Sequence, residues 1–138
     1  MKRIEGKRDW KPDAELERLV YKVIGAAIDV HREIGPGFPE AVYDKALRIE
    51  LALRNIPFAP QYQVPLHYKG HHVGTGQLDF LVSDRLIVEL KAVDALAEVH
   101  TAQVLRYLQL TKQTLGLLIN FHVPVLSEGV ERIIRAPD

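Results

Sequence analysis

An α/β fold with a mixed β-sheet flanked by α-helices is predicted by three observations. Two runs with helical apolar spacing open the chain, three segments of strand character follow, and a third helical run leads into a further apolar strand. The order is α-α-β-β-β-α-β, with residues 130–134 available as a last short strand. At 138 residues the chain is expected to form a single domain with one core.

Each element has its own signal. Residues 1–12 are polar and are expected to be loose, apart from Trp10, which is placed to dock on the body. From Asp13, the positions Leu16, Leu19, Val20, Val23, Ile24, Ala27, Val30 and Ile34 keep helical spacing until Gly35-Pro36-Gly37 stops the run. A second helix is expected over about 39–54, with Pro39 tolerated in its first turn and Asn55 at its end. Its inward stripe is Val42, Tyr43, Ala46, Leu47, Glu50 and Leu51. Alternation of Tyr62, Val64, Leu66 and Tyr68 predicts a strand, and Lys69-Gly70 a turn. Residues 77–82 and 86–91 then form a hairpin around Ser83-Asp84-Arg85. A third helix over about 96–110 precedes a strand at 115–121, which can return parallel to 86–91 through a right-handed crossover.

Composition narrows the function classes. Lys plus Arg and Asp plus Glu both number 18, so no overall basic field drives nonspecific nucleic-acid binding, and any such contact must be local. The absence of cysteine excludes disulfides, thiolate zinc sites and cysteine-ligated clusters, which suits a reducing compartment. A metal must therefore be held by oxygen or imidazole. No apolar run approaches the roughly 18 residues of a membrane span, and the start is charged rather than a signal-peptide core. A cytoplasmic protein is expected, with a size that suits a homodimer or larger complex.

The strongest chemical signal is Asp79 followed by Glu89-x-Lys91. Strand alternation places Glu89 and Lys91 on one face, with Val88 and Leu90 on the other. A three-residue loop pairs Val82 with Leu86, and the register then brings Asp79 opposite Glu89. Facing carboxylates repel. A cation between them turns that repulsion into a binding site, and hard oxygen ligands suit Mg²⁺ or Mn²⁺. The bland alternative is an edge hairpin with solvated charges. Against it, these charges interrupt runs that are otherwise apolar, where unpartnered charge is expensive to bury.

Other residues could join this site. His100, Gln103 and Tyr107 share one face of the third helix, offering an amide and a phenol, although taken in isolation the pair is better explained by a core tyrosine with a rim glutamine. Glu40 opens the second helix, where the helix dipole alone accounts for a carboxylate. His31 lies among apolar neighbours and reads as a satisfied core histidine. His71-His72 look solvent-facing, and adjacent strand residues point to opposite faces, which is poor geometry for chelation.

Gly37-Phe38-Pro39-Glu40-Ala41-Val42-Tyr43 matches Gly-x-x-Glu-x-x-Tyr. With 26–31 (AAIDVH), 88–92 (VELKA) and 117–121 (LLINF) in order, the chain resembles the bacterial GxxExxY protein family, a compact branch of the PD-(D/E)XK nuclease superfamily, over about residues 15–135. The resemblance implies a restriction-endonuclease-like core in which Asp79 and Glu89 hold Mg²⁺, Lys91 assists the attacking water or the transition state, and Glu40 adds an acidic function. Gln103 and Tyr107 look like the Gln-x-x-x-Tyr motif of RecB-type exonucleases. The chain departs from the pattern in carrying Phe38-Pro39 where relatives commonly have a leucine pair, and Leu78 where the superfamily name has proline.

The expected activity is metal-dependent phosphodiester hydrolysis, with DNA favoured over RNA. Asp79, Glu89 and the carbonyl of Leu90 would hold Mg²⁺ (or Mn²⁺), and Lys91 would orient the water or neutralise developing charge. The rival is a noncatalytic nucleic-acid- or protein-binding module that keeps the fold.

Overall fold

The structure is a computed structural model that describes residues 2–5 and 9–137. It contains β1 (Lys2–Glu5), α1 (Ala14–Ile34), α2 (Glu40–Leu53), β2 (Phe58–Tyr68), β3 (His71–Val82), β4 (Leu86–Lys91), α3 (Glu98–Thr111), β5 (Leu115–Asn120) and β6 (Val130–Arg135). The strands form one mixed sheet in the order β1-β6-β5-β4-β3-β2. This is the predicted α/β class, and β5 returns parallel to β4 as expected.

The amino end differs from expectation. Within the segment read as loose, Lys2–Glu5 form β1, parallel to β6 with Ile4 opposite Ile134. An unpaired β6 edge offers its backbone groups to any strand within reach, and composition does not report such pairing. For Met1 and residues 6–8 the expectation lies outside the described residues.

Two apolar layers sandwich the sheet. On one face Val20, Val23 and Ala27 of α1 and Leu47 and Leu51 of α2 cover Phe80, Val88 and Leu117. On the other, Val104, Tyr107 and Leu108 of α3 cover Leu78, Ile87 and Leu118. Strand alternation explains the division: Leu86, Val88 and Leu90 belong to the first layer and Ile87 to the second.

Helix α1 starts at Asp13, whose side chain accepts the Leu16 N–H at 2.9 Å. It ends at Gly35, whose φ of 78° few side chains tolerate. The buried line of α2 is narrower than predicted: Tyr43, Asp44, Leu47 and Leu51. Val42 is 37% exposed, whereas Asp44 of the same helix is buried.

Candidate functional site

The β3–β4 hairpin keeps the predicted register, with Val82 opposite Leu86, Leu81 opposite Ile87 and Phe80 opposite Val88. Ser83 and Asp84 adopt φ of 50° and 57° in the connecting loop. Beyond Phe80 the ladder stops, and carboxylates take over its hydrogen bonds. The Asp79 N–H donates to Glu89 Oε1 at 2.9 Å, and the Leu90 N–H donates to Asp79 Oδ2 at 2.8 Å. Each acid thus caps the backbone of the opposite strand where the two separate. The two carboxylates are held together at the fork, and among the described residues no Lys, Arg or His forms a salt bridge with either.

The electrostatics follow from that placement. Glu89 is buried; desolvation first and the Asp79 charge second push its carboxyl up to about 8. The Asp79 carboxyl is also raised, chiefly by burial, although the Leu90 N–H and Lys91 pull it back. Lys91 acts on Asp79, Glu89 and Glu40 alike, which sets its ammonium within range of all three acids.

Glu40 reaches this cluster from α2, and its position explains the Gly-x-x-Glu-x-x-Tyr pattern. Gly37 has φ of 102°, a turn conformation that suits glycine. The Tyr43 hydroxyl donates to the Gly35 carbonyl at 2.7 Å and accepts the Phe38 N–H at 3.2 Å. Its ring stacks on Phe121 with centroids 4.6 Å apart. The tyrosine therefore pins the turn that starts the helix carrying Glu40. In the cleft, partial desolvation and then the Asp79 charge raise the Glu40 carboxyl above its ordinary value. The Phe38-Pro39 departure is accommodated, with Pro39 in the extended conformation just before the helix.

A cleft of about 490 Å³ opens beside the acids, lined by Glu40, Asp44, Lys45, Arg48, Gln61, Gln77 and Asp79 among others. Several of these were not singled out in the sequence. Asp44 is buried, and it accepts from Arg48 Nε at 2.7 Å and from Gln61 Nε2 at 3.3 Å. The four-residue spacing of Glu40, Asp44 and Arg48 on α2 was the available signal, masked by the apolar stripe beside it.

The third-helix residues separate. Tyr107 is buried, accepting the Gln77 N–H at 3.1 Å and donating to the Gln77 carbonyl at 3.3 Å. Gln103 is exposed, and among the described residues no hydrogen bond joins it to Asp79 or Glu89. The expectation that both line the cleft beside the acids is thus replaced, for Tyr107, by a backbone staple two residues before Asp79. His100 Nδ1 accepts the Ala97 N–H at 3.0 Å and caps α3. His31 Nε2 donates to the Val123 carbonyl at 2.8 Å, and His71 and His72 are exposed. Asn120 accepts the Val93 N–H at 3.1 Å and donates to the Val93 carbonyl at 2.9 Å, fixing the chain just after Lys91.

A family model described as PD-(D/E)XK nuclease superfamily matches residues 17–133, most of the chain and all of the elements that build this fork. The chain belongs to the PD-(D/E)XK nuclease superfamily. No curated protein and no solved structure matches it. Membership carries a nuclease-like function in general, and the mixed sheet with flanking helices agrees with a restriction-endonuclease-like fold. In this PD-(D/E)XK chain, Asp79, Glu89 and Lys91 are the candidates for the three letters of the pattern. Among the described residues no helix is long and apolar enough to cross a membrane.

The donor set fits a hard cation. Among the described residues no three His, Cys, Asp or Glu side chains gather at metal-ligand spacing. An ion at the fork would therefore draw on two carboxylates and complete its shell with carbonyl and water oxygens, a set that suits Mg²⁺. Burial first and neighbouring carboxylate charge after it raise both acids, so the ionised pair is disfavoured here and a divalent ion between them would favour it.

Proposed function

We propose that this protein is a Mg²⁺- or Mn²⁺-dependent nuclease of the GxxExxY type that hydrolyses phosphodiester bonds in DNA. The observation that carries the reading is the reciprocal capping of β3 and β4 by Asp79 and Glu89 at the fork, with Lys91 and Glu40 beside it. In this reading Asp79, Glu89 and the Leu90 carbonyl hold the metal. When bound, the metal supplies Lewis-acid polarisation of the phosphate and a more acidic water. Lys91 offsets charge that develops on the phosphate oxygens. Glu40, whose carboxyl partial desolvation and then the Asp79 charge raise above its ordinary value, would accept a proton from the attacking water. Gln103, on the exposed side of α3, contacts the substrate backbone rather than the metal. A cytoplasmic location, where cellular DNA is within reach, suits this reading.

The test uses labelled single- and double-stranded DNA and RNA, with Mg²⁺ or Mn²⁺ and with chelator. DNA cleavage that needs metal and is lost in Asp79→Asn and Glu89→Gln is expected. Binding without cleavage under every condition would establish the noncatalytic module instead.

A further inference from the structure

We propose that the β2–β3 hairpin is a DNA-binding arm that enters the major groove of a duplex and leads its backbone to Asp79. The proposal rests on the nuclease reading for what happens at Asp79, but the arm itself stands on separate observations. β3 pairs with β4 only over Phe80, Leu81 and Val82, whereas it pairs with β2 from Tyr68–His71 to Phe58–Val82. The Tyr62–Tyr68 portion is therefore a two-stranded ribbon running past the rest of the sheet, on the order of 20 Å long.

Only one face of this ribbon is covered. Val64 and Leu78 pack under α3, and the Tyr107 hydroxyl bonds the Gln77 backbone from that side. The remaining positions, Gln63, Pro65, Thr75 and Gln77, are exposed, and they run outward from the cleft at Asp79. At the tip His67, Tyr68, Lys69, His71 and His72 are all exposed; Lys69 Nζ lies 5.5 Å from the centre of the Tyr68 ring.

Charge selects the occupant. The chain has 18 acidic residues, yet none falls between Glu50 and Asp79. The arm thus presents amides, hydroxyls, imidazoles and one ammonium with no carboxylate to repel phosphate, and at its root Lys45 and Arg48 line the cleft. An acid-free strip beside a strongly acidic centre is what a polyanion needs if it is to approach that centre. Shape selects between nucleic acids: the major groove of B-DNA, about 12 Å wide, admits a two-stranded ribbon, whereas that of A-form RNA is too narrow for side-chain readout.

Fluorescence anisotropy in chelator, with a labelled DNA duplex, an RNA duplex of the same sequence and single-stranded DNA, tests the arm. The parent should prefer the DNA duplex. The combined variant His67→Ala, Lys69→Ala, His72→Ala should bind it about tenfold more weakly, with its salt slope lowered by about 1. Its thermal midpoint should not change. Failure of the parent to bind duplex DNA, equal affinity for the RNA duplex, or undiminished affinity in the variant would each overturn the proposal. Hydrolysis of bis(4-nitrophenyl) phosphate with Mn²⁺ separates it from the reading of the centre, since this small diester needs no arm. Hydrolysis by the parent together with undiminished DNA binding by the variant sinks the arm alone. No hydrolysis together with weakened DNA binding by the variant sinks the nuclease reading and supports the arm.

Discussion

The Tyr107 hydroxyl bonds both the N–H and the carbonyl of Gln77, and Gly76 is what lets it approach. A Cβ at Gly76 would lie 2.9 Å from the Tyr107 ring and hydroxyl. Helix α3 is thereby stapled to β3 two residues before Asp79. Tyr107→Phe removes the hydroxyl and leaves the Gln77 amide without that acceptor, so a loss of about 1–2 kcal/mol is expected in denaturant unfolding. Gly76→Ala should cost about 1–3 kcal/mol through overpacking. An unchanged unfolding midpoint in both variants would show that the staple contributes nothing.

Metal affinity should rise with pH. Glu89 has its carboxyl pushed up to about 8, and a bound cation requires the ionised form. Between pH 6 and 8, Mg²⁺ association followed by calorimetry should strengthen by up to about tenfold per unit, with proton release seen as a dependence on buffer ionisation enthalpy. Glu89→Gln should abolish this binding. A pH-independent affinity would place the ion away from Glu89.

The metal-free protein should behave in the opposite sense. The folded-state Glu89 carboxyl, at about 8, lies above the ordinary value of 4.5, so the native state binds the extra proton across that window. The resulting stability is fully present below pH 4.5 and is lost as pH rises through 8. The slope is at most about 1.4 kcal/mol per pH unit. Glu89→Gln should flatten this part of the profile, as chemical denaturation at several pH values would reveal.

Glu40 and Tyr43 should separate chemistry from support. Glu40→Gln is expected to lower kcat by about a hundredfold or more with an unchanged melting curve, since the residue is solvent-accessible. Tyr43→Phe loses its bonds to Gly35 and Phe38 and should cost about 1 kcal/mol or more, with a smaller loss of activity. Equal kcat in Glu40→Gln and the parent would remove it from the mechanism.

Gln103→Ala should leave stability within about 0.5 kcal/mol of the parent, because the side chain is exposed. A raised KM with unchanged kcat is the signature of a backbone contact to substrate. Wild-type kinetics would exclude Gln103 from the substrate path.

Periodicity and turn chemistry in the sequence determined the helices, the strands and the register of the β3–β4 hairpin, because each is a local property of neighbouring residues. The Asp79–Glu89 pairing was legible for the same reason: a three-residue loop and alternation by two leave only one register. What the tertiary structure decided is long-range. The parallel pairing of Lys2–Glu5 with β6 depends on an edge on the far side of the sheet. The arrival of Asp44, Arg48 and Gln61 beside Asp79 depends on how α2 packs against the sheet. The division of Tyr107 from Gln103 depends on the rotation of α3 about its axis, which the packing of Val104, Tyr107 and Leu108 against β3 and β5 sets. Spacing along a helix says which residues share a face, but only burial against a partner says which way that face turns.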